Sequence, residues 1–216
     1  MFDEEKLNKT IMVVRKADLF KGNSFTGFLP RNIKDYESII LEKYGWITRG
    51  FAENDPNYKQ PIGYCGVINP NLKKIYAFQR SKKDQEYVEK KLQGNWSWGI
   101  GGHIELIDDK GKNPLHASII RELGEEGGIV EVFGDVKKIQ VLGYINLEYD
   151  VHLVHFGILY AIETHLEHLI GKDKEISGGG FKTINELEEM LTSPEYKVED
   201  WSKTSLQPLK EYLASL

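Results

Sequence analysis

Cysteine, proline and methionine are all sparse in this chain: one, seven and three in 216 residues. The lone Cys65 cannot close an internal disulfide, so the core rather than covalent staples must hold the fold. No uninterrupted apolar stretch approaches the roughly 20 residues that span a bilayer, and a membrane role gains no support. The opening MFDEEKLNK lacks the basic segment and apolar run of a secretory signal, and the chain reads as cytoplasmic. An excess of positive charge is missing too. With 28 basic against 33 acidic residues the net charge is −5, and no basic run or basic helix face stands out. Polymeric DNA or RNA is therefore not an expected partner. Internal repeats and low-complexity segments are also lacking.

What is present suffices for one packed core, with 40 % of residues hydrophobic. Residues 1–60 read as an N-terminal elaboration packed on a main body over 61–216, because Asn54-Asp55-Pro56-Asn57 is strong turn chemistry. The pattern predicts a strand at Ile11 to Val14 and a helix from Asp35 to Tyr44. Strands at Gly63 to Ile68 and Lys74 to Arg80 are spaced as a hairpin, and a polar helix over 84–92 follows. A strand from Trp96 to His103 feeds the Gly101-Gly102 pair. A helix from Pro114 to Glu126 has proline in its first turn and Gly127-Gly128 at its stop. Ile129 to Phe133, Lys138 to Asn146 and Val151 to Ile162 read as strands, which suggests a mixed sheet. Ser177-Gly178-Gly179-Gly180 reads as a loop, Thr183 with Glu186 as a capping box, and Leu206 to Leu213 as a short closing helix with Pro208 in its first turn.

The densest chemistry is Arg121-Glu122-Leu123-Gly124-Glu125-Glu126. Glu122, Glu125 and Glu126 stand at i, i+3 and i+4, so all three carboxylates leave one helix face. Like charges so placed repel, and near a helix C-terminus the macrodipole also disfavours them. A cation between them relieves both effects, and a divalent metal is the natural candidate.

Residues 101 to 129 resemble the signature of the Nudix (MutT-like) hydrolases. The matching positions are Gly101, Gly102, Glu105, Arg121, Glu122, Glu125, Glu126, Gly128 and Ile129. The resemblance implies an α/β/α sandwich with a mixed β-sheet and a Mg2+-dependent (or Mn2+-dependent) pyrophosphatase. Its expected substrate is a small-molecule nucleotide or other diphosphate, and a homodimer is a family-level expectation. It further implies that Glu122, Glu125, Glu126 and the Gly101 carbonyl bind metal and that Arg121 anchors the carboxylates. Glu122 is the first choice for general base, with Glu163, Glu167 and Glu175 as later-loop alternatives. Arg80, Trp98, Gly102 and Glu105 are expected at the substrate, and Trp96, Phe78 and Phe181 are further aromatics near it.

Two departures stand out. The loop between Gly102 and Arg121 is about five residues longer than usual, and Asn113 replaces the glutamate expected eight positions before the arginine. Asp108 or Asp109 could stand in for it, although a solvated acidic loop is the reading favoured here. These departures motivate an alternative, a catalytically weak nucleotide-binding sensor domain. Markers of substrate subgroups are missing: no proline lies between Pro114 and Pro194, and Tyr144 and Tyr149 fit a dinucleotide pattern poorly. Gly-Tyr-Cys-Gly around Cys65 does not resemble the reactive-cysteine motif of an isoprenyl-diphosphate isomerase. His103 reads as a hydrogen-bonded loop residue, and His152 and His155 as poor partners for one metal.

Overall fold

Strand β4 (Tyr58–Asn69) is buried along nearly its whole length, and its side chains alternate between two apolar cores. Cys65 and Val67 enter one core, Tyr64 and Ile68 the other. A strand apolar on both faces needs cover on both, and the computed structural model supplies it. The structure describes residues 2–81, 92–110, 113–129, 134–169 and 176–216.

Parallel to β4 runs β8 (His155–Thr164), in register from Gln60 opposite His155 to Ile68 opposite Glu163. Outward from β8 lie β7 (Val136–Asn146) and β2 (Gly27–Pro30); outward from β4 lie β1 (Thr10–Arg15) and β3 (Gly45–Thr48). The far end of β4 also pairs with β5 (Lys74–Arg80), which carries β6 (Trp96–Ser97) and β9 (Ile176–Lys182). The described ladders other than β4 with β8 are antiparallel, so the sheet is mixed.

On one face sit α2 (Lys16–Phe20), α3 (Tyr36–Lys43) and α5 (Pro114–Glu125), whose Leu19, Ile40, Leu115, Ile119 and Leu123 join the first core. On the other sit α6 (Ile184–Thr192) and α7 (Asp200–Ala214), which add Leu187, Met190, Trp201, Leu206 and Leu209 to the second. The result is an α/β/α sandwich. At the β1 and β3 edge, α1 (Phe2–Asn8) packs beside α4 (Arg49–Ala52). Residue 60 lies inside β4, and β1, β2 and β3 are hydrogen-bonded into the same sheet.

Several elements differ from expectation. Ser177 to Gly180 is not a loop but part of β9, paired with β5. A Cβ at Gly179 would lie 2.5 Å from Tyr76 Oη and 2.9 Å from the Ala77 carbonyl, so glycine lets this strand approach. Helix α7 begins at Asp200 and runs through Pro208, which is internal rather than in the first turn. Val151 to Leu153 lies in a 3-10 turn before β8, and the strand expected over Trp96 to His103 is regular only at Trp96–Ser97. The helix expected over 84–92 and the strand expected to reach Phe133 fall mostly outside the described residues.

Candidate active site

Helix α5 begins where Asn113 accepts hydrogen bonds from Leu115 N at 3.0 Å and His116 N at 3.3 Å, with Pro114 at the first position. It ends at Glu125, and the chain leaves it through Gly128, whose φ of 65° is the left-handed conformation that favours glycine after a helix. Leu115, Ile119 and Leu123 recur every four residues and lie against β4 and β8. That stripe turns Glu122, Glu125 and Glu126 to a cavity of about 870 Å3.

The backbone from Ile100 to His103 runs antiparallel along β4, and Glu105 bridges to Ile11 of β1. Cys65 N donates to Ile100 O at 2.7 Å and Ile100 N to Cys65 O at 3.0 Å, with a further bridge between Ile62 and His103. A Cβ at Gly101 would fall 1.7 Å from the Gly63 carbonyl oxygen, and one at Gly102 would fall 2.5 Å from Glu122 Oε1. Glycine at 101 lets this strand lie against β4, and glycine at 102 leaves the Glu122 carboxylate in its place. The glycine pair and the glutamates, about 20 residues apart in sequence, thus share one wall.

Arg121 knits the wall together. Its Nη1 donates to Glu122 Oε1 at 2.7 Å and to Glu125 Oε2 at 3.2 Å, and its Nη2 donates to the His103 carbonyl at 3.0 Å. Its other partner is Asp108, which is only 4 % exposed and takes both Nε and Nη2. The solvated acidic loop expected here is therefore wrong for Asp108, because the extra residues fold back as a 3-10 turn over Leu106–Lys110 and bury it against the guanidinium. Asp109 stays at the surface, where Tyr44 Oη donates to it at 3.2 Å. Burial lowers the pKa of Arg121, but bonding to Asp108 and the charge of Glu122 outweigh this and raise it, so the residue stays a fixed cation. For Glu122 the balance is opposite: burial pushes its carboxyl up to about 7 against the pull of Arg121.

The other expected site residues divide. Arg80 lines the cavity but is ion-paired with the buried Glu199 of the loop before α7. Glu105 lines it too, bonded by Lys9 Nζ at 2.7 Å. Trp98 does not: it is 1 % exposed and packed in the second core, its indole given to the fold rather than to a ligand. Trp96 packs edge-on against Tyr196, Phe78 is buried in the first core, and Phe181 packs against Tyr76. Glu163 accepts from Tyr212 Oη at 2.6 Å away from the cavity, Glu167 is exposed outside it, and Glu175 lies outside the described residues. His103 is hydrogen-bonded to Gln60 at 2.7 Å. His152 stacks on Trp201, while His155 instead meets His103, at 5.4 Å between ring centres.

No family profile matches the chain. Over 192 residues it is 32 % identical to protein YmaB of Bacillus subtilis (strain 168), covering 85 % of this chain and 90 % of that protein. Its backbone superposes on the crystal structure of Tm1382, assigned to the Nudix hydrolases, with a TM-score of 0.74 and 25 % identity, over 94 % of this chain and 100 % of that one. The chain belongs to the Nudix hydrolase family. The Nudix fold is also shared with the Nudix domain of Shewanella oneidensis NrtR, solved with ADP ribose, at a TM-score of 0.54 and 14 % identity over 72 % of this chain and 88 % of that one.

Against this Nudix frame, sequence reasoning missed the opposite side of the cavity. Tyr196, Lys197 and Glu199 reach it from the turn before α7, Asp200 from the first residue of α7, and Lys6 and Arg49 from the N-terminal helices. The acidic pair Glu199-Asp200 at a helix start was the one local hint. No helix among the described residues is long and apolar enough to cross a membrane.

Proposed function

We propose that this Nudix protein hydrolyses a diphosphate linkage in a nucleoside diphosphate derivative, with Mg2+ as cofactor. The observation that carries the reading is the joint wall of Gly101-Gly102 and the α5 glutamates at the cavity, locked by Arg121. The donor set is all oxygen and multiply anionic, which suits Mg2+ or Mn2+. Glu122, Glu125, Glu126 and the Gly101 carbonyl would hold the ion. When bound it would neutralise phosphate charge and polarise the scissile linkage.

The chain's own groups supply the rest. Arg121, tied to Asp108, fixes the Glu122 and Glu125 carboxylates before substrate arrives, so little reorganisation is needed. Glu122, beside the glycine pair and held by Arg121, is the first choice to take the proton of the attacking water. The cavity volume falls within the range of small-molecule sites, roughly 300 to 1,000 Å3. The departures that favoured a sensor domain have structural roles instead, since Asn113 caps α5 and the long loop delivers Asp108.

The test is product release from nucleoside triphosphates, nucleotide sugars and dinucleotides, with ADP ribose among them, in Mg2+ or Mn2+. Turnover is expected to stop on chelation and to fall at least about 100-fold in Glu125→Gln. Equal inactivity of both proteins, with one nucleotide still bound tightly, would replace the hydrolase by the sensor.

A further inference from the structure

Glu53, just after α4, His103, just after the glycine pair, and His155, the first residue of β8, each present one ligand atom within 4.8 Å of the others. None belongs to the carboxylate set of α5. Glu53 Oε1 lies 3.9 Å from His103 Nε2, and Glu53 Oε2 lies 3.8 Å from His155 Nε2. Both separations exceed a hydrogen bond.

His155 is the informative member. It is 5 % exposed, and its Nδ1 lies 2.6 Å from the Val151 carbonyl, which can only accept, so Nδ1 carries the hydrogen. In the neutral ring Nε2 is then a bare lone pair. It is buried without a hydrogen-bond partner among the described residues, and it faces the Glu53 carboxylate. A lone pair opposite an anion repels unless a positive centre lies between them. A histidine whose second nitrogen is fixed by a backbone carbonyl is also the usual form of a metal-ligating imidazole. Glu53 is oriented in turn by Arg49, whose Nε donates to Oε1 at 2.9 Å and leaves Oε2 toward His155.

We propose that Glu53, His103 and His155 form a second metal site, which takes a nitrogen-preferring divalent ion of the Zn2+ class. Two imidazoles and one carboxylate are the donors of borderline-soft ions, whereas the all-oxygen wall of α5 suits Mg2+. Bonds of about 2.0–2.1 Å in a tetrahedral shell place ligands about 3.4 Å apart, so each imidazole and the nearer Glu53 oxygen need close by about 0.5 Å, with all three ligand atoms already within 4.8 Å of one another. To ligate through Nε2, which lies 2.7 Å from the Gln60 side-chain oxygen, His103 moves its hydrogen to Nδ1 and gives up that hydrogen bond. Both histidines line the cavity, so the remaining coordination position opens onto it.

The test is titration of chelator-stripped protein with Zn2+ by calorimetry and with Co2+ by visible absorption, which reports tetrahedral coordination. Wild type is expected to take one such ion per chain at this site. Affinity should fall about 10- to 100-fold in Glu53→Gln and in His155→Ala, and persist in the Glu125→Gln/Glu126→Gln double variant. If His155→Ala fails to fold, Glu53→Gln, which keeps side-chain volume, decides. The site is overturned if wild type takes up no Zn2+, if the α5 double variant removes all the binding, or if folded Glu53→Gln binds as wild type does. Because the readout is metal uptake, failure here is distinguishable from failure of the hydrolase reading.

Discussion

Asp108 meets Arg121 with both carboxylate oxygens, Nε donating to Oδ1 at 3.0 Å and Nη2 to Oδ2 at 2.9 Å, across thirteen residues of chain. Such a fork fixes the plane of the guanidinium as well as its position, and Nη1 is thereby aimed at Glu122 and Glu125. Removing the fork strands a largely buried cation. Asp108→Ala should therefore cost about 1–3 kcal/mol in urea denaturation and lower turnover as Glu122 loosens. Asp109→Ala, at the surface one residue on, should cost less than about 0.5 kcal/mol. Equal effects of the two would count against the fork as the organising contact.

The two glycines should separate stability from activity. Gly101→Ala drives a methyl group into the Gly63 carbonyl, so β4 itself must move, at a cost above about 3 kcal/mol in thermal unfolding. Gly102→Ala meets the end of the Glu122 side chain, which can swing away. That variant should fold with near-native stability yet turn over about 10- to 100-fold more slowly. A fully active Gly102→Ala enzyme would show that the Glu122 position is immaterial.

Asn113 stands where the resemblance expects a glutamate, and the structure gives it a helix cap instead. Asn113→Ala should lose about 1 kcal/mol of stability, read from the denaturant midpoint. With Arg121 already held by Asp108, kcat should stay within a factor of about two. A collapse of kcat without loss of stability would assign Asn113 to the chemistry.

Glu148 should contribute to stability in a way that acid removes. Burial pushes its carboxyl up, but hydrogen bonds from Asn146 and Lys16 and the charge of Lys59 outweigh this and hold it at about 2, below its ordinary 4.5. Its folded pKa is depressed, so its contribution is complete above about pH 4.5 and is lost as the pH falls toward about 2. Wild type should outlast Glu148→Gln in thermal melts at pH 6, and the difference should shrink to nothing across that window. A gap that widens in acid would have the opposite sign and dismiss the assignment.

The carboxylate helix could be read from sequence because its information is local: Pro114, the glutamate spacing and Gly127-Gly128 all act within one turn of their own position. The capping box of α6 was legible for the same reason, Thr183 and Glu186 satisfying each other over three residues. Trp98 was not, because whether an indole faces a ligand or a core depends on what packs over it, and here α6 and α7 do. Strand β9 hid behind its glycines, which suit both a loop and a close strand pairing; the deciding neighbour, Tyr76, is a hundred residues away. Glu53 and His155 carry no local signal at all, since they meet only when β8 aligns with β4 and α4 closes on them.

The cavity wall takes Lys6 and Lys9 from one region of the chain and Glu199 to Lys203 from another, with the signature between. Such a chamber has no partial form. The stretch up to Glu126 supplies the acidic helix but not the far side of the chamber. Occupancy of the cavity by ligand should therefore protect the protein against global unfolding rather than against opening of one segment.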